Sequence, residues 1–432
     1  MQPVGFWEAF WFWVKLGFIN FGGPAGQIAI MHKELVERKK WVSEGQFLRT
    51  LNFCMILPGP EAQQVATYIG WRLHGARGGI VAGSFFVIPS IFVLLLLSWL
   101  AAAHSDIAAV RGLLYGVQPV VIAVVLSAVI RIGGRTLNHA VLVAFAVAAF
   151  VAIYFLSIPF PAVVAAAALG GLVLRRPLPG VFAAQGHGSG DGEDDTGVVK
   201  EARAGERPSA MRNLKLLGIF VLLWTVPVEA LFLWRGGGDV LVHEAFFFTG
   251  AAFVTFGGAY AVLSYIAHAA VAGYGWLSAG QMVQGLALAE STPGPLIMVT
   301  QYVGFLGAWN NPGGFDPLFN GVLGALVTTF VTFLPCFLFI FLLAPYVEML
   351  SENRWVQAAL VGVTAAVVGV IANLAVFFAI RVLFPHGVSP GGLDVFALLL
   401  AGVSFALIQR LKVPIHFMVP LGAVAGMIWT LM

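Results

Sequence analysis

The chain has 432 residues, 59% hydrophobic and only 10% charged, against about 25% charged in a soluble protein whose surface faces water. Its 23 Lys and Arg and 20 Asp and Glu give a net charge of +3, and 13 of these charged residues crowd into the stretch 175–215. The remainder is too apolar for a water-soluble domain, and its long unbroken apolar runs exclude an outer-membrane barrel of short alternating segments. The pattern is that of an all-α polytopic membrane protein.

In chain order, the first apolar stretch opens with the aromatic cluster 6–13. No basic segment precedes it and it contains Glu8 and Lys15, so it does not read as a cleaved signal peptide. Phe21-Gly22-Gly23-Pro24 interrupts it, and the segment 32–46 brings Lys33, Arg38, Lys39 and Lys40. Two 11-residue pieces, 47–57 and 61–71, flank Pro58-Gly59-Pro60. At 1.5 Å per residue each covers ~16 Å, half of a ~30 Å hydrocarbon core. Spans are expected at 79–103, 112–132, 138–156 and 159–174. A polar segment, 177–215, reads as a flexible linker rich in Gly, Ser and acidic residues. His187 beside Asp191 and Glu193–Asp195 is solvated linker on this reading, and neither a metal site nor a cofactor is expected. A lone span at 216–234 follows, then the breaks at 256–258 and 293–295, then spans at 321–345, 356–380, 393–409 and 414–432. Cys54 and Cys336 lie in apolar segments and read as buried small hydrophobes.

The two sides of the linker repeat each other. Moved by 235 positions, 21–60 falls on 256–295 without a gap. Phe21-Gly22-Gly23 meets Phe256-Gly257-Gly258, Trp41 meets Trp276, Ser43, Gly45 and Gln46 meet Ser278, Gly280 and Gln281, and Pro58-Gly59-Pro60 meets Pro293-Gly294-Pro295. Later the offset is 246, pairing Pro89 with Pro335 and Gly116 with Gly362, so the second half carries its extra residues near 309–320. The expected domains are 1–176, the linker 177–215, and 216–432. Charge relates the halves: 32–46 is basic, whereas its counterpart 267–281 has no Asp, Glu, Lys or Arg. Basic loops stay cytoplasmic, so equivalent loops are expected on opposite sides, an inverted repeat of the kind secondary transporters use. With the linker cytoplasmic and the broken segments re-entrant, 18 of the 23 Lys and Arg lie inside. Hydropathy leaves open whether those segments re-enter or span fully.

The breaks are the candidate site. Pro-Gly-Pro cannot continue a helix, and interrupted backbone at membrane depth is tolerated only where it is buried or lines a cavity. Half-helices beginning at Pro24, Pro60, Ala259 and Pro295 would aim free N–H groups and partial positive charge at a common point, a cradle for an anion. The candidate binding set is Gly22, Gly23, Pro24 and Gln27 with Pro58, Gly59, Pro60, Gln63 and Gln64 (Thr67 nearby) in the first half, and Gly257, Gly258, Pro293, Gly294, Pro295, Thr300 and Gln301 in the second. The rival reading is that these Gly and Pro serve only tight packing and kinks. Arg49 could guide an anion, and Glu61 or Glu290 could couple anion binding to protons. Alternatively Arg49 forms a salt bridge with one of them. His268 reads as an outer-interface residue. Tyr68, Tyr302 and the cluster 6–13 read as cavity lining or as an interfacial belt.

With the residues 21–24, 40–46 and 57–70 and the second-half echo Pro293-Gly294-Pro295, the sequence resembles the chromate ion transporter family in its long, two-domain form, over nearly the whole chain. The resemblance implies a bacterial inner-membrane protein that exports chromate and confers chromate resistance, with sulfate as an analogous oxyanion. It also implies two homologous halves of opposite orientation and dependence on the proton-motive force, which would suit Glu61 or Glu290. The second half departs from the motif: Ala259 replaces Pro24 and Leu296 stands where Glu61 does, so the site is not expected to be fully symmetric. Composition and spacing do not separate chromate from sulfate or molybdate. Lipid surrounds the chain, a homodimer stays open, and nothing points to nucleic acid. An enzyme is disfavoured by the lack of HExxH, GxSxG, DDxxD and Walker motifs, whereas an anion channel of the same architecture stays open.

Overall fold

The computed structural model describes residues 4–182, 209–351, 353–385 and 387–432, all helical or irregular. The linker readings for 183–208, His187 and its acidic neighbours included, lie outside the described residues. The first half runs through α1 (Phe6–Ile19), α2 (Gly23–His32), α3 (Glu44–Ile56), α4 (Glu61–Phe85), α5 (Ile88–Ala103), α6 (Ala108–Thr136), α7 (Ala140–Tyr154) and α8 (Phe160–Leu174). A single turn, α9 (Pro179–Phe182), and the helix α10 (Ala210–Arg235) lead to the second half. That half comprises α11 (Val240–Phe253), α12 (Ala259–His268), α13 (Ala279–Ser291), α14 (Val299–Asn310), α15 (Pro317–Leu343), α16 (Val347–Ser351), α17 (Arg354–Leu383), α18 (Val395–Arg410) and α19 (Ile415–Leu431). Among the described residues, five stretches are long and apolar enough to cross a membrane: Glu61–Ala103, Ala108–Thr136, Ala210–Arg235, Pro317–Tyr346 and Arg354–Leu383. The chain is a multi-pass membrane protein.

The repeat in sequence is a repeat in structure. α3 and α13 start and end 235 residues apart, and α6 and α17 begin 246 apart. The pairs α7/α18 and α8/α19 begin 255 apart, a relation invisible in the residues themselves. Ser43 and Ser278 cap α3 and α13 with identical boxes, in which each serine hydroxyl accepts from Gln46 N or Gln281 N and the glutamine side chain accepts in return from the serine N–H. Even the π-helical turns Lys33–Arg38 and Ala269–Gly273 recur after α2 and α12. The offset changes where α4 bends at His74 and Gly75 (φ +65°): the second half instead parts α14 from α15 by the loop 311–316. α10 has no counterpart, starts six residues before the expected span, and turns most of its surface outward.

The halves interlock. α6 packs most extensively on α18 and α19 of the other half, and α17 on α7 and α8, while α6 and α17 lie against each other. Small residues let these backbones meet, as is usual where lipid provides no hydrophobic drive. A Cβ on Gly116 would strike the backbone of Gly422 and Gly426; one on Gly362 would strike that of Ala167 and Gly171. Pro89 opens α5 after the turn at Phe86 and Val87, whereas Pro335 sits within α15 without ending it.

Candidate functional site

The breaks of the two halves meet. Gly22 and Gly23 take φ of +93° and +66°, Gly257 and Gly258 +77° and +93°, Gly59 +126° and Gly294 +115°. These are left-handed values that strain any side chain, so the glycines set the geometry of all four interruptions. With its N–H turned out of the helix ladder, Gly59 donates to Thr255 O at 2.8 Å, and Gly294 donates to Asn20 O at 2.9 Å. Positions 59 and 294, like 20 and 255, are counterparts. Each Pro-Gly-Pro is therefore bonded to the residue preceding the other half's Phe-Gly-Gly, the reciprocal exchange expected of a two-fold contact. The arrangement continues in side chains, for a Cβ on Gly59 would crowd Cys336 Sγ and one on Gly294 would crowd Ser90, and Cys336 and Ser90 are again counterparts.

Three of the four expected helix starts are present, at α2, α4 and α12. The fourth differs: Pro295 is followed by a 3₁₀ turn, Leu296–Met298, before α14 begins, so its carbonyls and amides are wound more tightly than in an α-helical start. The expected ligands divide into braces and free groups. Gln27 Nε2 donates to Gly294 O at 2.5 Å, Gln64 Nε2 to Pro58 O at 2.7 Å, and Gln301 Nε2 to Ile91 O at 2.9 Å, with Thr329 Oγ1 on Gln301 Oε1 at 3.4 Å. Thr67 Oγ1 folds back onto Gln63 O. Among the described residues, both amide atoms of buried Gln63 have no partner, and neither do Gln27 Oε1, Gln64 Oε1, Thr300 Oγ1, Ser90 Oγ and the side chain of Asn20. Buried polar atoms left without partners are costly; these lie at or near the breaks, and others, such as Ser127, Glu244 and Ser404, lie elsewhere. Pro58, Pro60, Pro293 and Pro295 are buried beside them, and Pro24 stands half-buried in the first turn of α2.

The two acidic candidates occupy matching places by different routes. Glu61 opens α4, directly after its Pro-Gly-Pro, whereas Glu290 precedes the other one. Even so, a Cβ on Gly258 would stand 3.6 Å from Glu61 Oε1, and a Cβ on Gly23 would stand 3.7 Å from Glu290 Oε2. Gly23 and Gly258 are counterparts, so each carboxylate reaches the Phe-Gly-Gly of the opposite half. Glu290 is 3% exposed; its Oε1 accepts from the Tyr260 hydroxyl, and its Oε2 has no hydrogen-bond partner among the described residues. The cation beside this pair is Arg131, on the exposed side of α6. Arg49 is exposed on α3, and no ion pair joins it to Glu61 or Glu290 among the described residues. Tyr68 and Tyr302 are buried, inside rather than in a belt, while the cluster 6–13 is split between buried Phe12 and Trp13 and outward-facing Trp7 and Trp11.

Sequence reasoning missed Asn20, Thr255, Tyr260 and Arg131. The first two carried a signal, since a polar residue precedes Phe-Gly-Gly in both halves. Arg131 was countable only as topology, and Tyr260 carried no signal. Away from the centre, cavities open at the margins. One of about 340 Å³ lies between Arg111, Gln118, Gln281 and Gln284; one of about 270 Å³ lies by Ser264, His268, Asn373 and Arg381. A third, of about 490 Å³, lies by Trp71, Gly75 and Lys215.

Residues 7–172 and 243–427 match the family model described as Chromate transporter. The chain is 32% identical over 379 residues to a chromate transport protein of Pseudomonas aeruginosa, covering 85% of this chain and 80% of that protein. It is 28% identical over 401 residues to a chromate transport protein of Cupriavidus metallidurans, covering 93% and 87%. An uncharacterized transporter of Bacillus subtilis, YwrA, is 31% identical over 115 residues, 27% of this chain but 65% of its own length. No solved structure matches.

Proposed function

The chain belongs to the chromate transporter family, and from that premise we propose that it is a secondary carrier moving chromate outward across a bacterial inner membrane, driven by the proton-motive force, and so conferring chromate resistance. The observation that carries this reading is the reciprocal bonding of Gly59 to Thr255 and Gly294 to Asn20, which supports one locus shared by two halves. Around it stand helix starts with uncommitted N–H groups and side-chain amides without partners, the donors a tetrahedral dianion needs when it sheds its hydration. No Lys or Arg lies in the breaks themselves, so binding rests on dipoles. The halves are oppositely inserted on this reading, with the basic turn 33–40 and the linker cytoplasmic and α10 supplying the odd crossing. Glu61 and Glu290 take the coupling protons. Membership in a family of transport proteins favours transport over catalysis.

Purified protein in liposomes with an acid lumen tests it. Labelled chromate should accumulate above its external concentration, a protonophore should collapse the accumulation, and excess sulfate should compete. Simple dissipation of a chromate gradient would mark a channel, and accumulation of sulfate but not chromate would mark a carrier for another oxyanion. Absence of any oxyanion flux would contradict the reading.

A further inference from the structure

The cavity of about 340 Å³ lies where α5 turns into α6, beside the first turn of α13 and the end of α14. Four side chains give it its chemistry: Arg111 and Gln118 from α6, Gln281 and Gln284 from α13. Arg111 is exposed and forms no ion pair among the described residues. Gln281 spends its carbonyl on the Ser278 N–H, which leaves its amino group to the cavity. Gln118 Nε2 donates once, to Leu114 O at 3.3 Å, and the Gln284 side chain makes no hydrogen bond among the described residues. Tyr115 also lines the space, but its hydroxyl donates to Asp394 Oδ2, and Asp394 Oδ1 caps α18 through Ala397 N. What stays uncommitted is one full positive charge and a set of amides able to donate, which suits an anion.

Stability does not account for Arg111. It stands in the first turns of α6, where the helix dipole opposes a cation, and on the inverted arrangement it faces outward, where basic residues are disfavoured. The repeat gives it a meaning. Gln284 is the counterpart of Arg49, and Gln357 is the counterpart of Arg111, so the two halves exchange arginine for glutamine at both positions. α3 touches α17 as α13 touches α6. Arg49 folds back along α3, for a Cβ on Gly45 would stand 3.5 Å from its Nη1; a Cβ on the counterpart Gly280 would stand 4.0 Å from Gln118 Oε1. Each mouth of the protein thus keeps a single guanidinium, carried by α3 at one and by α6 at the other. α13 ties this mouth to the centre, since it runs ~10 Å over the seven residues from Gln284 to Ser291, just short of Pro293. We propose that the cavity at Arg111, Gln118, Gln281 and Gln284 is an outer subsite for a tetrahedral dianionic oxyanion, where the anion regains part of its hydration after leaving the breaks. This rests on the oxyanion-carrier reading. One arginine rather than two draws the dianion from the centre without matching its charge, so it is passed on to water.

The test places a thiol at the exposed rim of the cavity, Ser105→Cys with Cys54 and Cys336 replaced by alanine, in the purified full-length protein. Its reaction rate is measured with an anionic and a cationic methanethiosulfonate of similar size. Arg111→Gln should lower the ratio of anionic to cationic rate about tenfold, and Arg111→Lys should keep most of it. Sulfate, added at constant ionic strength, should slow the anionic reagent and saturate, and Arg111→Gln should remove that protection. A rate ratio that ignores Arg111, or sulfate protection that is absent or survives Arg111→Gln, would overturn the proposal. Everted membrane vesicles, whose lumen is the outer side, test the role. Arg111→Gln should raise several-fold the luminal sulfate needed to slow chromate uptake, and should leave the half-saturating chromate outside the vesicle unchanged. A shift in the latter alone would place Arg111 at the wrong mouth and contradict the proposal. A protein whose cavity passes the thiol test but that moves no oxyanion in any vesicle would refute the carrier reading instead, so the two failures are distinct.

Discussion

Gly59 and Gly294 show how much one residue decides. Each combines a left-handed φ, an N–H spent on the other half, and no room for a side chain. A Cβ at 59 would press on Gln64 Nε2 at 2.7 Å and on Cys336 Sγ at 3.0 Å; one at 294 would press on Ser90 Cβ at 2.7 Å. Valine there cannot be relieved by a rotamer change, because strain and clash both arise at the backbone. Gly59→Val and Gly294→Val should therefore abolish chromate flux in liposomes while the protein still inserts and purifies; flux near the wild-type rate would show that the breaks are packing devices. The glycines and prolines of this site were legible because only backbone chemistry places such residues in pairs inside apolar sequence. The spatial match of Glu61 with Glu290 was not, since the two stand on opposite sides of their Pro-Gly-Pro motifs and only folding brings them to counterpart glycines. Gln301 illustrates the converse: its residue type suggested a ligand, but its amide is spent bracing Ile91.

Helices were read more reliably than their partners. Hydropathy located the spans 112–132, 321–345 and 356–380 to within a few residues because lipid demands continuous apolar runs; the expected span 79–103 instead straddles the end of α4 and α5 within the apolar stretch Glu61–Ala103, and the start of α10 at Ala210 was missed because Arg212 and Lys215 gave its first turns the look of linker. The interlocking was beyond reach: nothing in the hydropathy of α6 says whether it packs on its own half or on the other. The glycines record it once the structure is known. Gly116 meets α19 and Gly362 meets α8, backbone against backbone, so these two crossings also join the halves. Leucine at either position overpacks a junction that cannot widen without moving a whole helix. Gly116→Leu and Gly362→Leu should each cost about 1–3 kcal/mol, seen as a lower unfolding midpoint in detergent, whereas the same change at Gly134, which has open space around it, should leave the midpoint in place. Equal midpoints for all three would mean the crossings do not hold the halves.

For the whole molecule, duplication explains the economy of the design. A half carrying one Phe-Gly-Gly and one Pro-Gly-Pro cannot fix either motif alone, because the bonds of Gly59 to Thr255 and of Gly294 to Asn20 cross to the other copy. Two copies related by a pseudo-two-fold satisfy both at once, and on the proposed inverted arrangement α10 supplies the odd crossing between them. In the residues themselves the proposed reversal rests on the distribution of basic residues, which speaks to topology rather than to contact. Glu37 and Ala272 are counterparts, both exposed, in the π-helical turns that close α2 and α12. Single cysteines at these two positions, introduced with Cys54 and Cys336 replaced, and labelled in intact cells with a membrane-impermeant maleimide, test the reversal directly. The account predicts that the cysteine at 272 is labelled from outside and the one at 37 only after the membrane is opened; labelling of both from the same side would contradict it.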